Sequence, residues 1–94
     1  MYKIKLTSIA AEALRKIEST ARDQIFAKID QLKIEPFLLG KALVGPLKEF
    51  RSVRAAGQRY RIIYHITDQK VIVLSIIDGR RNFEEVIVTK LMRL

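Results

Sequence analysis

Between Lys48 and Arg61 the chain carries five cations, Lys48, Arg51, Arg54, Arg59 and Arg61, against the single carboxylate Glu49, a net of +4 in 14 positions. Four of the five are arginines, whose planar fork donates paired hydrogen bonds to a phosphate. This segment holds half of the formal excess of +8, the difference between 18 Lys+Arg and 10 Asp+Glu. Residues 1–47 contribute +3 and residues 62–94 only +1. A small basic chain with charge so concentrated is suited to an anionic partner. Nucleic acid, an acidic protein and a membrane surface are the candidates. The plain alternative is a charge that merely keeps the protein in solution.

Alternation along Arg59–Ile66 sorts these side chains. Tyr60, Ile62, Tyr64 and Ile66 fall on one face and read as core. Arg59, Arg61, Ile63 and His65 fall on the other, where two arginines meet the only histidine. With Arg54 on the same side of a preceding strand, the sheet would present a basic hollow, able to attract a phosphodiester and to lose it with salt. The competing reading is a solvated face balanced by Glu49, Asp68 or Glu84. A second basic group, Gly79-Arg80-Arg81-Asn82, follows the last strong strand. It reads equally as a site segment at a sheet end or as a basic turn before a helix.

Composition narrows the chemistry. With no cysteine there are no disulfides, thiolate metal ligands or cysteine nucleophiles. One histidine excludes a multi-histidine zinc site, so neither metal nor cofactor is expected. Met1–Lys5 has no apolar leader core and no run approaches membrane-spanning length, which points to the cytoplasm and away from membranes. A hydrophobic content of 49% suits a core rather than disorder, and 94 residues suit one domain, 1–94.

The elements that must position the arginines follow from periodicity. Tyr2–Leu6 alternates as a short strand. Thr7 or Ser8 can cap a helix carrying Ile9, Ala10, Ala13, Leu14 and Ile17 at helical spacing. Glu18-Ser19-Thr20 breaks it, and Thr20 can cap a second helix with the stripe Ile25, Phe26, Ile29 and Leu32, Lys28 and Asp30 pointing away. Pro36 ends that helix, giving a helical hairpin. Pro36–Pro46 reads as an apolar loop, with Phe37, Leu38 and Leu39 covering the hairpin by default and a partner groove as the other option. Phe50–Ala55, Arg59–Ile66 and Val71–Ile77 read as an antiparallel meander, turning at Ala56-Gly57-Gln58 and Thr67-Asp68-Gln69. Phe83–Leu94 mixes a helical charge pattern with β-branched residues and is assigned as a short helix. The class is α+β: strand, two-helix hairpin, three-stranded antiparallel meander and short C-terminal helix.

The runs Leu43-Val44-Gly45-Pro46-Leu47-Lys48-Glu49-Phe50-Arg51-Ser52-Val53-Arg54, Gly57-Gln58-Arg59-Tyr60-Arg61-Ile62-Ile63-Tyr64, Val71-Ile72-Val73-Leu74 and Gly79-Arg80-Arg81 resemble the RelE/ParE superfamily of bacterial toxins over nearly the whole chain. The resemblance implies a toxin of a toxin–antitoxin pair whose basic face is wrapped by a cognate antitoxin. It is closer to the RelE branch, ribosome-dependent ribonucleases that cut messenger RNA without metal, than to the ParE branch, which acts on DNA gyrase. It implies that Arg61 holds the scissile phosphate and Arg81 supports the leaving 5′-oxygen. Arg54 would stand near the strand lysines of the RelE pattern, a loose match because the turn is one residue longer here. Lys48, Arg51, Arg59, Arg80 and His65 would contact the RNA.

One departure stands out. The position where many RelE-like toxins place a tyrosine is Ile87, which can neither take a proton nor stack on a base. His65 could serve as base in its place, or be a structural histidine. Phe83 could stack on a base or anchor the tail. A gyrase poison and a non-catalytic basic binding module are the alternatives to a messenger-RNA interferase.

Overall fold

The computed structural model describes residues 1–79; the assigned C-terminal helix lies outside them. Strand β1 (Lys3–Leu6) leads into α1 (Ser8–Arg15). Thr7 caps α1 as its sequence suggests, its hydroxyl accepting from the Ala10 amide at 3.1 Å and donating to the Leu74 carbonyl at 2.7 Å. One side chain therefore starts the helix and ties it to the sheet.

Helix α2 (Ser19–Leu32) is capped by Glu18, not by Thr20. The Glu18 carboxylate accepts from the Ala21 amide at 2.7 Å and the Thr20 amide at 3.0 Å. A charged acceptor at the positive end of a helix outcompetes a hydroxyl, and those two amides hold the Glu18 pKa below its ordinary value. Ala21, Ile25, Ile29 and Leu32 form the buried row. Phe26, expected in that row, is 42% exposed, and Ile9 of α1 is 37% exposed. The hairpin is narrower in its apolar contact than the sequence stripe suggested.

The expected loop at Pro36–Pro46 carries structure of its own. Pro36 both stops α2 and opens α3 (Pro36–Leu39), where a missing amide hydrogen costs nothing. Strand β2 (Lys41–Ala42) and a 3₁₀ turn (Gly45–Leu47) follow. Phe37 and Leu38 do not cover the hairpin: they are 60% and 75% exposed.

Strands β3 (Arg51–Ala55), β4 (Tyr60–Thr67) and β5 (Lys70–Asp78) form the antiparallel meander. Asp68 and Gln69, with φ of 47° and 64°, make the two-residue turn that matches sheet twist. The meander is the centre of a five-stranded sheet ordered β1-β5-β4-β3-β2. At one edge β1 runs parallel to β5, pairing Ile4 with Val71 and Leu6 with Val73. At the other, β2 pairs only with Arg51 and Ser52 of β3.

The helices cover one face of this sheet. Leu14, Ile25 and Leu32 pack there against Ile62, Tyr64, Val71 and Val73. The opposite face holds a smaller cluster of Leu43, Leu47, Ile63 and Ile77. A register shift between Ile63 and Tyr64 pairs them with Ser75 and Val73 and leaves Leu74 unmatched. The bulge reverses the parity of β5, so that Val73 and Ile76 join the helix-side core while Leu74 and Ile77 join the other.

A polar latch fixes α3. The fully buried Tyr64 hydroxyl donates to the Pro36 carbonyl at 2.6 Å. Arg51 donates to the carbonyls of Phe37 and Gly40, both at 2.8 Å, and its guanidinium lies 5.5 Å from the Phe37 ring centre. Gly40 is required because a Cβ there would fall on the Tyr64 hydroxyl.

Candidate functional site

Arg54 and Arg61 are direct cross-strand partners on the sheet face opposite the helices. Such partners hold their Cβ atoms about 5 Å apart, and like charges so placed repel. Arg54 is steadied by a hydrogen bond from Nη1 to the Gln58 carbonyl at 2.9 Å. That carbonyl is presented by a turn whose three residues, Ala56, Gly57 and Gln58, have φ of 55°, 63° and 73°. Left-handed backbone at Ala56 and Gln58 is strained for residues with a Cβ, a cost often met where a site must be shaped. Burial, then the neighbouring Arg54 charge, lowers the Arg61 pKa from its ordinary value. An anion between the two guanidinium groups would relieve both effects.

The pair lines a cleft of about 550 Å³ that also receives Lys28 from α2, Lys41 from β2, and the apolar side chains of Leu43 and Val44. Four cations and no carboxylate line it among the described residues. The last described residue, Gly79, packs against Arg54 and the turn that holds it. Its amide donates to the Arg59 carbonyl at 2.7 Å, and a Cβ at Gly79 would stand 2.9 Å from Arg54 Nη1.

Of the residues singled out in the sequence, the fold brings together Arg54 and Arg61. Arg80, Arg81, Phe83 and Ile87 lie outside the described residues, Arg80 directly after Gly79. Arg51 sits on the helix-covered face, opposite Tyr64 in register, and is engaged in the α3 latch. Arg59 lies over the Tyr60 ring at 5.2 Å, and its charge helps lower the Glu18 pKa. Lys48 is exposed after the 3₁₀ turn, outside the cleft lining. His65 shares the Arg61 face but lies four residues, about 13 Å, along the strand. Its Nδ1 is 3.0 Å from the Glu49 carbonyl, which can only accept, so Nδ1 carries the proton; the ring meets Phe50 edge-on. Lys28 and Lys41 were not foreseen. Lys28 reads as an outward helix residue, and nothing in an apolar stretch marks Lys41 as a strand neighbour of Ser52.

A strand, helical hairpin and twisted meander with paired arginines on its free face make a small, basic α+β protein. Residues 4–83 match the family described as the ParE toxin of type II toxin–antitoxin systems. The chain belongs to that family. It is 28% identical over 85 residues to the mRNA interferase toxin RelE of Escherichia coli K12, covering 90% of this chain and 88% of that one. Its fold is similar to the isolated E. coli RelE toxin, with a TM-score of 0.73 at 23% identity over 97% of this chain and all of that one. It is also similar to a chain of the chromosomal ParDE system of Pseudomonas aeruginosa, with a TM-score of 0.69 at 16% identity over 83% and 96% of the two chains. The shape is similar to both branches. Among the described residues no helix is long and apolar enough to cross a membrane.

Proposed function

We propose that this toxin is a messenger-RNA endoribonuclease that acts with the ribosome in the cytoplasm and is restrained by a cognate antitoxin. The observation that carries the reading is the Arg54–Arg61 pair, set face to face in a cleft lined by cations and apolar side chains. The RelE relative, an mRNA interferase by name, supports it.

In the proposed reaction the ribose 2′-hydroxyl attacks the adjacent phosphorus. A 2′-oxygen–phosphorus bond forms as the hydroxyl gives its proton to water, the bond to the 5′-oxygen breaks, and the 5′-oxygen leaves as a hydroxyl with a proton taken from water, leaving a 2′,3′-cyclic phosphate. Negative charge grows on the non-bridging oxygens, where fixed guanidinium groups stabilise it. Arg61 would hold that phosphate, with Arg54 beside it. Arg81, two residues beyond the glycine that packs on Arg54, would support the leaving oxygen. His65 lies about 13 Å along β4 from Arg61, too far to take the proton of a 2′-hydroxyl next to a phosphate held there. In-line alignment by the ribosome would supply much of the remaining rate.

The test is to add purified protein to translating ribosomes and map cuts on the messenger by primer extension. Cleavage within codons is expected; intact messenger would overturn the reading. A gyrase poison is the second reading, favoured by the ParE family match and by the absence of any tyrosine after Tyr64. It predicts gyrase-dependent DNA breaks with messenger RNA left whole.

Gly79→Ala provides a finer check on Arg54. The added methyl would push the Arg54 guanidinium from the Gln58 carbonyl, a charge-assisted bond of about 1.5 kcal/mol. Cleavage should fall about tenfold. In an Arg54→Ala background the same change should cost little further.

A further inference from the structure

The cleft extends past the arginine pair to a part of the molecule that the proposed chemistry does not use. Strand β2 ends after pairing with two residues of β3, so among the described residues the edge of β3 from Val53 to Ala55 has no strand beside it on that side. The cleft occupies this open edge. Lys41 stands where β2 begins, and Lys28 reaches the same space from α2, which lies on the other face of the sheet. Between them Leu39, Leu43 and Val44 supply an apolar wall, and Val44 is 74% exposed.

Resting on the reading that Arg54 and Arg61 grip the scissile phosphate, we infer that this outer half of the cleft is a subsite for the nucleotide next to the cut. The RNA strand leaves the free face of the sheet over the open β3 edge. Lys28 and Lys41 take the neighbouring phosphate, and the base lies against Leu39, Leu43 and Val44. Three features favour RNA over an acidic polypeptide. The cations continue in one cleft from the arginine pair. The volume, about 550 Å³, is in the range of small-ligand sites of roughly 300–1,000 Å³. The apolar wall between cations suits a flat base flanked by phosphates.

The experiment titrates a single-stranded 2′-O-methyl RNA decamer, which cannot be cut, into the full chain by fluorescence anisotropy at several salt concentrations. Wild type, Lys28→Gln/Lys41→Gln, Val44→Asp and Arg61→Ala are compared, with circular dichroism as the check on folding. The double lysine variant should bind about tenfold more weakly at low salt, and its log–log salt slope should be shallower by about 1.4, the value for two lost contacts to a single strand. Val44→Asp, which puts a carboxylate in the wall, should weaken binding as well. An unchanged affinity and slope in the lysine variant, alongside weakened binding in Arg61→Ala, would overturn the subsite and leave the arginine site standing. Unchanged binding in Arg61→Ala would overturn the underlying site and the subsite with it. Loss of affinity in the lysine variant for a polyglutamate peptide, with RNA binding intact, would reassign the groove to a protein partner and overturn the inference.

Discussion

Arg61→Ala should lower messenger cleavage on ribosomes by about 10²–10³-fold, the usual cost of removing one preorganised donor to a charged transition state. The size follows from where Arg61 sits. It is half-buried on a central strand, opposite Arg54, with both neighbours of β4 in register around it. A donor held by a sheet spends little of its energy on being ordered when the phosphate arrives. Arg61→Lys should recover only part of the loss, because an ammonium restores the charge but not the two-pronged contact. The measurement is single-turnover cleavage by primer extension, with thermal unfolding recorded for each variant. Full activity in a folded Arg61→Ala protein would remove this residue from the chemistry and with it the RelE-like reading of the cleft.

The second large effect concerns stability. Gly40→Ala should destabilise the protein by about 3 kcal/mol or more, from overpacking and loss of a buried hydrogen bond together. The backbone is not the cause, since Gly40 has an ordinary φ of −110°. The methyl would fall on the Tyr64 hydroxyl and stand 2.8 Å from the Ser52 carbonyl. Tyr64→Phe alone should cost about 1–2 kcal/mol through the unpaired Pro36 carbonyl. Because it also clears the hydroxyl from the path of the new methyl, Gly40→Ala should cost less in the Tyr64→Phe protein than in wild type. Urea denaturation of the four-member cycle gives the coupling, and simple additivity would count against the latch. The same tyrosine sets an alkaline limit. Burial raises its pKa above the ordinary 10.0, partly opposed by Arg51. The folded state therefore binds this proton more tightly than the unfolded state. Its contribution is intact below pH 10.0 and is lost as pH climbs through the raised value. Tyr64→Phe should lack that part of the alkaline fall.

Side-chain parity was the most informative signal in the chain. It correctly set Tyr60, Ile62, Tyr64 and Ile66 against the helices and Arg61 with Ile63 on the far side. Applied to β3 it would also have separated Arg51 from Arg54, three positions apart and so on opposite faces. The density of charge between Lys48 and Arg61 suggested one patch where the pleat makes two. What parity cannot give is distance along a strand, so His65 read as a neighbour of Arg61. Nor can it name a strand's partner. Lys3–Leu6 alternates clearly, yet its place beside β5 is decided by packing far along the chain. Two-residue β2 has too few positions to show any period, and Pro36 was legible as an end but not as a beginning. Lys28 and Lys41 were missed for that reason: the cleft that joins them exists only once β2 is docked.

The parallel pairing of β1 with β5 has a consequence for the order in which the protein is made. Lys3 pairs with Lys70, and Thr7 bonds to Leu74, 67 residues later. Strand β1 thus has no neighbour in the sheet until β5 has been synthesised, at roughly 5–20 residues per second. Pairing of such high sequence separation closes late in folding. Helices can form early on the nascent chain, but the sheet is completed only after β5, which ends beside the arginine pair, has emerged. The walls of the basic cleft, from α2, β2, β3 and β4, are thus synthesised before the strand that locks the sheet together, and an antitoxin has that interval in which to meet a chain whose fold is still incomplete.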